Sequence, residues 1–120
     1  MQKILIVEDN RDLASLLKLR LEKEGFSVDI VTGGLALLAY LRGAEEPDAL
    51  ILDLYIPEKS GVELLGSITS RWLRTKIFIY SAQVRWKATC LRYPTVIRFF
   101  SKDENSEDLV AAVKEELTAS

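Results

Sequence analysis

A chain of 120 residues, 48% hydrophobic and with a net charge of −2, fits a single domain that buries its own core. It contains no histidine, which removes Ser-His-Asp and Cys-His nucleophile systems, histidine metal sites and any internal phosphohistidine step. Its single cysteine, Cys90, cannot form an internal disulfide and is read as a buried structural thiol, and no apolar run reaches the ~18 residues of a membrane span, so a cytoplasmic protein is expected.

Lys3 leads into the apolar run ILIV, which breaks at Glu8-Asp9-Asn10, the pattern of a buried strand ending in a polar loop. Leu13, Leu16, Leu17 and Leu21 then recur at helical spacing, with Asn10 or Asp12 as cap and Gly25 as stop. Residues 26–31 read as a second strand. Leu35, Leu38, Ala39 and Arg42 mark a helix ending near Gly43, its first turn weakened by Gly33 and Gly34. After Pro47, the run Ala49-Leu50-Ile51-Leu52 ends in Asp53, as expected of a central strand buried on both faces. Ser60 is placed to cap a third helix carrying Val62, Leu65 and Ile68 and ending near Arg74, and Lys76–Ser81 is the fourth strand. Residues 83–93 predict a fourth helix that Thr89, Cys90 and Pro94 make short or irregular. Val96, Ile97, Phe99 and Phe100 form a fifth strand ending at Lys102, and Ser106 caps a last helix with Leu109, Val110, Val113 and Leu117 on one face.

Five strands alternating with five helices predict an α/β fold, one domain over residues 1–120, with a parallel sheet flanked by helices on both faces. Such sheets bind ligands outside the carboxyl ends of their strands, where strand order reverses. Those ends carry Glu8, Asp9, Asp53, Ser81 and Lys102. Like charges about 4 Å apart repel by about 4 kcal/mol at a surface-like dielectric, so three carboxylates there call for a cation. Mg²⁺ suits a site of few carboxylates completed by water and phosphate, and Lys102 adds a second positive charge. Asp53, alone at its strand end, is the candidate nucleophile toward phosphorus, with Glu8 and Asp9 as a metal-holding pair. The Ser81 hydroxyl and the Ala82 N–H are placed to hydrogen-bond a phosphoryl oxygen. Taken singly, Glu8-Asp9-Asn10 reads equally as a helix cap, and Asp53, Ser81 and Lys102 as ordinary strand-end residues. Their coincidence on one edge favours the chemical reading.

The segments ILIVEDN, LILDLYIP followed by Gly61, Ser81-Ala82 and FFSK, in this order and spacing, resemble the response-regulator receiver family over residues 3–117. The resemblance implies a flavodoxin-like sheet of strand order 2-1-3-4-5 and Asp53 as phosphoacceptor. Mg²⁺ would be held by Asp9, Asp53 and the Tyr55 carbonyl, with Glu8 acting largely through water. Lys102 would contact the phosphoryl group, the Ser81 hydroxyl would move to it, and the Phe99 ring would turn inward to signal through the helix 4, strand 5, helix 5 face. Tyr55 and Gln83 would flank attacking water and tune dephosphorylation. The donor would be a histidine kinase or phosphotransfer protein. Asp103 departs from the family by standing where a proline usually follows the lysine, and Trp86, Tyr93 and Pro94 replace the usual small residues of the signalling segment.

From residue 64 to 102 there is no acidic side chain but eight basic ones: Arg71, Arg74, Lys76, Arg85, Lys87, Arg92, Arg98 and Lys102. This stretch is read as a surface for an acidic protein partner or for self-association, since a net charge of −2 argues against nucleic acid. Two other functions stay open. One is a receiver-like adaptor that ignores phosphate. The other, an aspartyl-phosphate phosphatase or transferase, is disfavoured because Tyr55 occupies the position two residues after the nucleophile where such enzymes place an acid–base aspartate. An enzyme is not expected beyond Mg²⁺-dependent self-phosphorylation from small donors and autodephosphorylation.

Overall fold

The computed structural model describes residues 1–43 and 45–119. In chain order it runs β1 (Lys3–Val7), α1 (Arg11–Lys23), β2 (Ser27–Val31), α2 (Gly34–Gly43), β3 (Ala49–Leu52), α3 (Gly61–Arg71), β4 (Lys76–Ser81), α4 (Lys87–Cys90), β5 (Val96–Ser101) and α5 (Ser106–Thr118). The five strands are parallel in the order β2-β1-β3-β4-β5. The chain therefore winds outward from β1 to β2, then returns past β1 to β3. That reversal opens a crevice between the ends of β1 and β3. Their register pairs Val7 with Leu52, which makes Glu8 and Asp53 neighbours at its floor.

Alternate strand residues face opposite helical layers, which is why the strands read as continuous apolar runs. Leu5, Val7, Leu50, Leu52, Ile77 and Ile79 pack with Leu37 and Leu41 of α2 and Leu64, Leu65 and Ile68 of α3. On the other face, Ile4, Ile6, Ile51, Phe78 and Phe100 meet Leu17 and Leu21 of α1 and Leu109, Val113 and Leu117 of α5.

Several local expectations shift. In α2 the buried stripe is Gly34, Leu37 and Leu41, while Leu35, 56% accessible, faces solvent with Ala39 and Arg42. Both stripes satisfy helical spacing, and the close seat of Gly34 against Lys59 selects between them. Leu16 is likewise exposed, the core side of α1 being Ala14, Leu17 and Leu21. Asn10 caps α1, accepting from the Leu13 N–H at 3.1 Å. Helix α3 stops at Arg71 rather than near Arg74 because Trp72 turns into the core, edge-on to Tyr40 at 5.9 Å. Helix α5 is capped by Asn105, which accepts from the Glu107 N–H at 2.9 Å, whereas the Ser106 hydroxyl is taken by Arg20. The expected irregular helix is a 3-10 turn, Val84–Trp86, followed by the single turn of α4.

Candidate functional site

Two buried carboxylates form the crevice floor, Glu8 at 2% and Asp53 at 4% accessibility. Backbone pairing fixes both, the Glu8 N–H donating to Val31 O at 3.1 Å and the Asp53 N–H to Val7 O at 3.0 Å. Lys102 reaches over from the end of β5, its Nζ donating to Glu8 Oε1 at 2.6 Å and Asp53 Oδ2 at 2.8 Å. The remaining oxygens accept backbone donors, Glu8 Oε2 from the Asn10 N–H and Asp53 Oδ1 from the Tyr55 N–H, both at 3.1 Å. Asp9 is exposed beside them, and Glu8, Asp9 and Asp53 each offer an oxygen within 4.8 Å of the others.

Burial pushes the Glu8 carboxyl above its ordinary range, and the Asp53 charge adds to this against the opposing bonds from Lys102 and Asn10. Burial alone would lower Lys102, but its bonds to Asp53 and Glu8 outweigh that and raise it, keeping the ammonium charged. One ammonium against three carboxylates leaves an electrostatic deficit. A hard divalent cation with oxygen ligands fits such a donor set, and Mg²⁺ in particular needs only one or two carboxylates besides water and phosphate.

The cleft above these groups, about 370 Å³, is walled by Glu8, Asp9, Asn10, Asp53, Tyr55, Ala82, Gln83 and Lys102. Tyr55, 71% accessible, stands at the rim near Gln83. Ser81 lies beneath the wall, wholly buried, its hydroxyl accepting from the Gln83 N–H at 3.1 Å and its carbonyl from the Lys102 N–H at 3.1 Å. Phe99 is buried in the layer containing Cys90 and Val96, with Trp86 and Tyr93 packed against it. The candidate residues thus divide between those lining the cleft and Ser81 and Phe99 behind it.

Asp103 is exposed, and the loop that carries it is closed by its own polar groups. The Ser101 N–H donates to Glu104 Oε2 at 2.7 Å, the Glu104 N–H to Ser101 O at 2.9 Å and the Asp103 N–H to Ser101 Oγ at 3.2 Å. The sequence gives no sign of this role for Glu104, because an Asp-Glu-Asn run reads as plain loop. The sequence marks Asn10 only as a cap, yet in the fold it also lines the cleft and its N–H donates to Glu8 Oε2. Gly61 is required sterically, since a Cβ there would lie 2.7 Å from both Asp53 O and Leu54 Cα.

Known proteins resemble this chain over most of its length. The family model described as response regulator receiver domain matches residues 4–114. A Pseudomonas aeruginosa protein named as a transcriptional regulator is 30% identical over 116 residues, covering 95% of this chain and 56% of that protein. The transcriptional regulatory protein CpxR of Escherichia coli is 43% identical over 68 residues, 57% of this chain and 28% of its own length. The chain thus spans about half or less of these curated relatives. Among solved structures, the response regulator TrrA of Thermotoga maritima, crystallised with Mg²⁺ and beryllofluoride, superposes with a TM-score of 0.82 at 29% identity, covering 96% of this chain and 98% of that one. Among the described residues no helix is long and apolar enough to cross a membrane.

Proposed function

This chain belongs to the response regulator receiver domain family, and from that premise we propose that it accepts a phosphoryl group on Asp53 from the phosphohistidine of a partner kinase or phosphotransfer protein in the cytoplasm. The observation that carries this reading is the Lys102 ammonium shared between Asp53 and Glu8 at the strand-order reversal, with Asp9 alongside.

In the transfer, an Asp53 carboxylate oxygen forms the new P–O bond as the P–N bond to the donor imidazole breaks, and the imidazole leaves with the electron pair. Lys102 supplies fixed positive charge to the phosphoryl oxygens. Asp9, Asp53 and the Tyr55 carbonyl would hold Mg²⁺, with Glu8 acting largely through water, and the ion would offset the charge of the transferring group. The Ala82 N–H and the Ser81 hydroxyl, once released from Gln83, add donors. Tyr55 and Gln83 across the rim control the approach of water and hence the lifetime of the phosphate. The added charge of about −2 biases Ser81 and Phe99 and, through them, the α4–β5–α5 face.

On that face Arg85, Lys87, Arg92 and Arg98 are exposed and, among the described residues, make no ion pair. This supports an acidic protein partner or a second copy as its ligand. The four-residue α4 favours a second reading, an adaptor whose binding is indifferent to phosphate. Incubation with acetyl phosphate and Mg²⁺ should add one phosphate to the intact mass of wild type and none to Asp53→Asn or to wild type in excess chelator. An equal gain in wild type and Asp53→Asn would sink the phosphoacceptor assignment, and phosphate without change in partner affinity would favour the adaptor.

A further inference from the structure

Glu58 adopts φ 76°, the only described non-glycine residue at positive φ. Such a conformation is unfavourable for a residue with a Cβ and persists where its surroundings over-determine it. It lies in the short loop between Asp53 and α3, and that loop is tied at several points. The Tyr55 N–H donates to Asp53 Oδ1 at 3.1 Å, Tyr55 and Ser60 form an antiparallel bridge, and the Gly61 N–H donates to Leu54 O at 2.9 Å.

The tip of the loop is seated on the start of α2, where the residue before the helix, Gly33, has no side chain with which to cap it. The Gly34 N–H donates to Pro57 O at 3.0 Å and the Leu35 N–H to Glu58 Oε1 at 3.2 Å, so the loop supplies the acceptors that this helix end lacks. Two glycines make room for it. A Cβ on Gly33 would lie 2.8 Å from Glu58 Oε1, and one on Gly34 2.7 Å from Lys59 Cβ.

We propose that Glu58 is a positioning residue for the magnesium site: by capping α2 from across the chain, it fixes the loop that carries Tyr55, and so couples α2 to the cleft. Pro57 and Glu58 cannot leave α2 without pulling on the Tyr55–Ser60 bridge, and Tyr55 in turn touches Asp53. Coupling of this kind is reciprocal. Magnesium binding therefore tightens the bond from Leu35 to Glu58, and loss of that bond weakens magnesium. This inference rests on the magnesium reading above.

Calorimetric titration with MgCl₂ separates the two. Wild type should bind and Asp9→Asn should not. Glu58→Ala should bind about fivefold more weakly, the low end of coupling between two sites, while Glu58→Gln, which retains the acceptor, stays close to wild type. Hydrogen exchange at the Leu35 amide should slow on adding magnesium in wild type and not in Glu58→Ala. A purely structural cap would lower melting temperature without moving either readout. Equal magnesium affinity in wild type and Glu58→Ala, with binding lost in Asp9→Asn, overturns the positioning role alone. No binding in wild type, or undiminished binding in Asp9→Asn, overturns the metal reading and this inference with it.

Discussion

Glu8 is buried at 2% accessibility between a metal-ligand candidate and the Lys102 ammonium, 2.6 Å away. Burial raises its pKa above the ordinary 4.5, reinforced by Asp53 and opposed by Lys102 and Asn10. The folded protein then holds the Glu8 proton more tightly than the unfolded chain. Between pH 4.5 and the folded value the native state binds more protons, and metal-free stability falls as pH rises through that window. Urea unfolding in chelator across this range should show the fall in wild type and a flatter profile in Glu8→Gln, and magnesium, which prefers the ionised carboxylate, should offset it. A steeper fall in Glu8→Gln would show that the Lys102 bond dominates instead. At this scale the sequence showed Glu8, Asp9, Asp53 and Lys102 because each ends an apolar run where a strand must stop. It does not show that Glu58 accepts from the Leu35 N–H, 23 positions away, nor that the Ser81 hydroxyl is engaged by Gln83.

Among the elements, the strands were the most legible, since burial on both faces leaves runs such as ALIL with no other reading. Helix existence was legible too, but the choice of buried face was not. In α2, leucines at 35, 37, 38 and 41 allow two stripes, and the seat of Gly34 against the 57–59 turn selects Leu37 and Leu41. Leu37→Ala should therefore destabilise by about 2–5 kcal/mol, whereas Leu35→Ala should stay within about 0.5 kcal/mol of wild type. Chemical denaturation of both variants checks this, and a larger loss at Leu35 would refute the assigned face. The end of α3, at Arg71, is hidden from the sequence for a related reason. Trp72 is buried by Tyr40, a partner on another helix that helical periodicity does not contain. The irregular α4 was legible from Thr89, Cys90 and Pro94, which favour turns over a continued helix.

For the whole molecule, the alternation of strands and helices predicts the parallel sheet, and the reversal between β1 and β3 then gathers groups that are 94 residues apart, Glu8 and Lys102, into one hydrogen-bonded cluster. The charge distribution is also a whole-molecule property: among the described residues Arg85, Lys87, Arg92 and Arg98 on the α4–β5 side make no ion pair, while Glu8, Asp9 and Asp53 meet at the cleft. On the proposed reading, the response of that basic face to phosphorylation would run through the packing of Ser81, Phe99 and the 84–95 segment, which composition alone does not specify. The most direct test concerns Asp53 itself. After treatment with acetyl phosphate and Mg²⁺, borohydride reduction converts an aspartyl phosphate to homoserine, and peptide mapping should find homoserine at position 53 and nowhere else. Homoserine at Asp9 or at another carboxylate, or none under donor excess, would contradict the assignment of Asp53 as the acceptor.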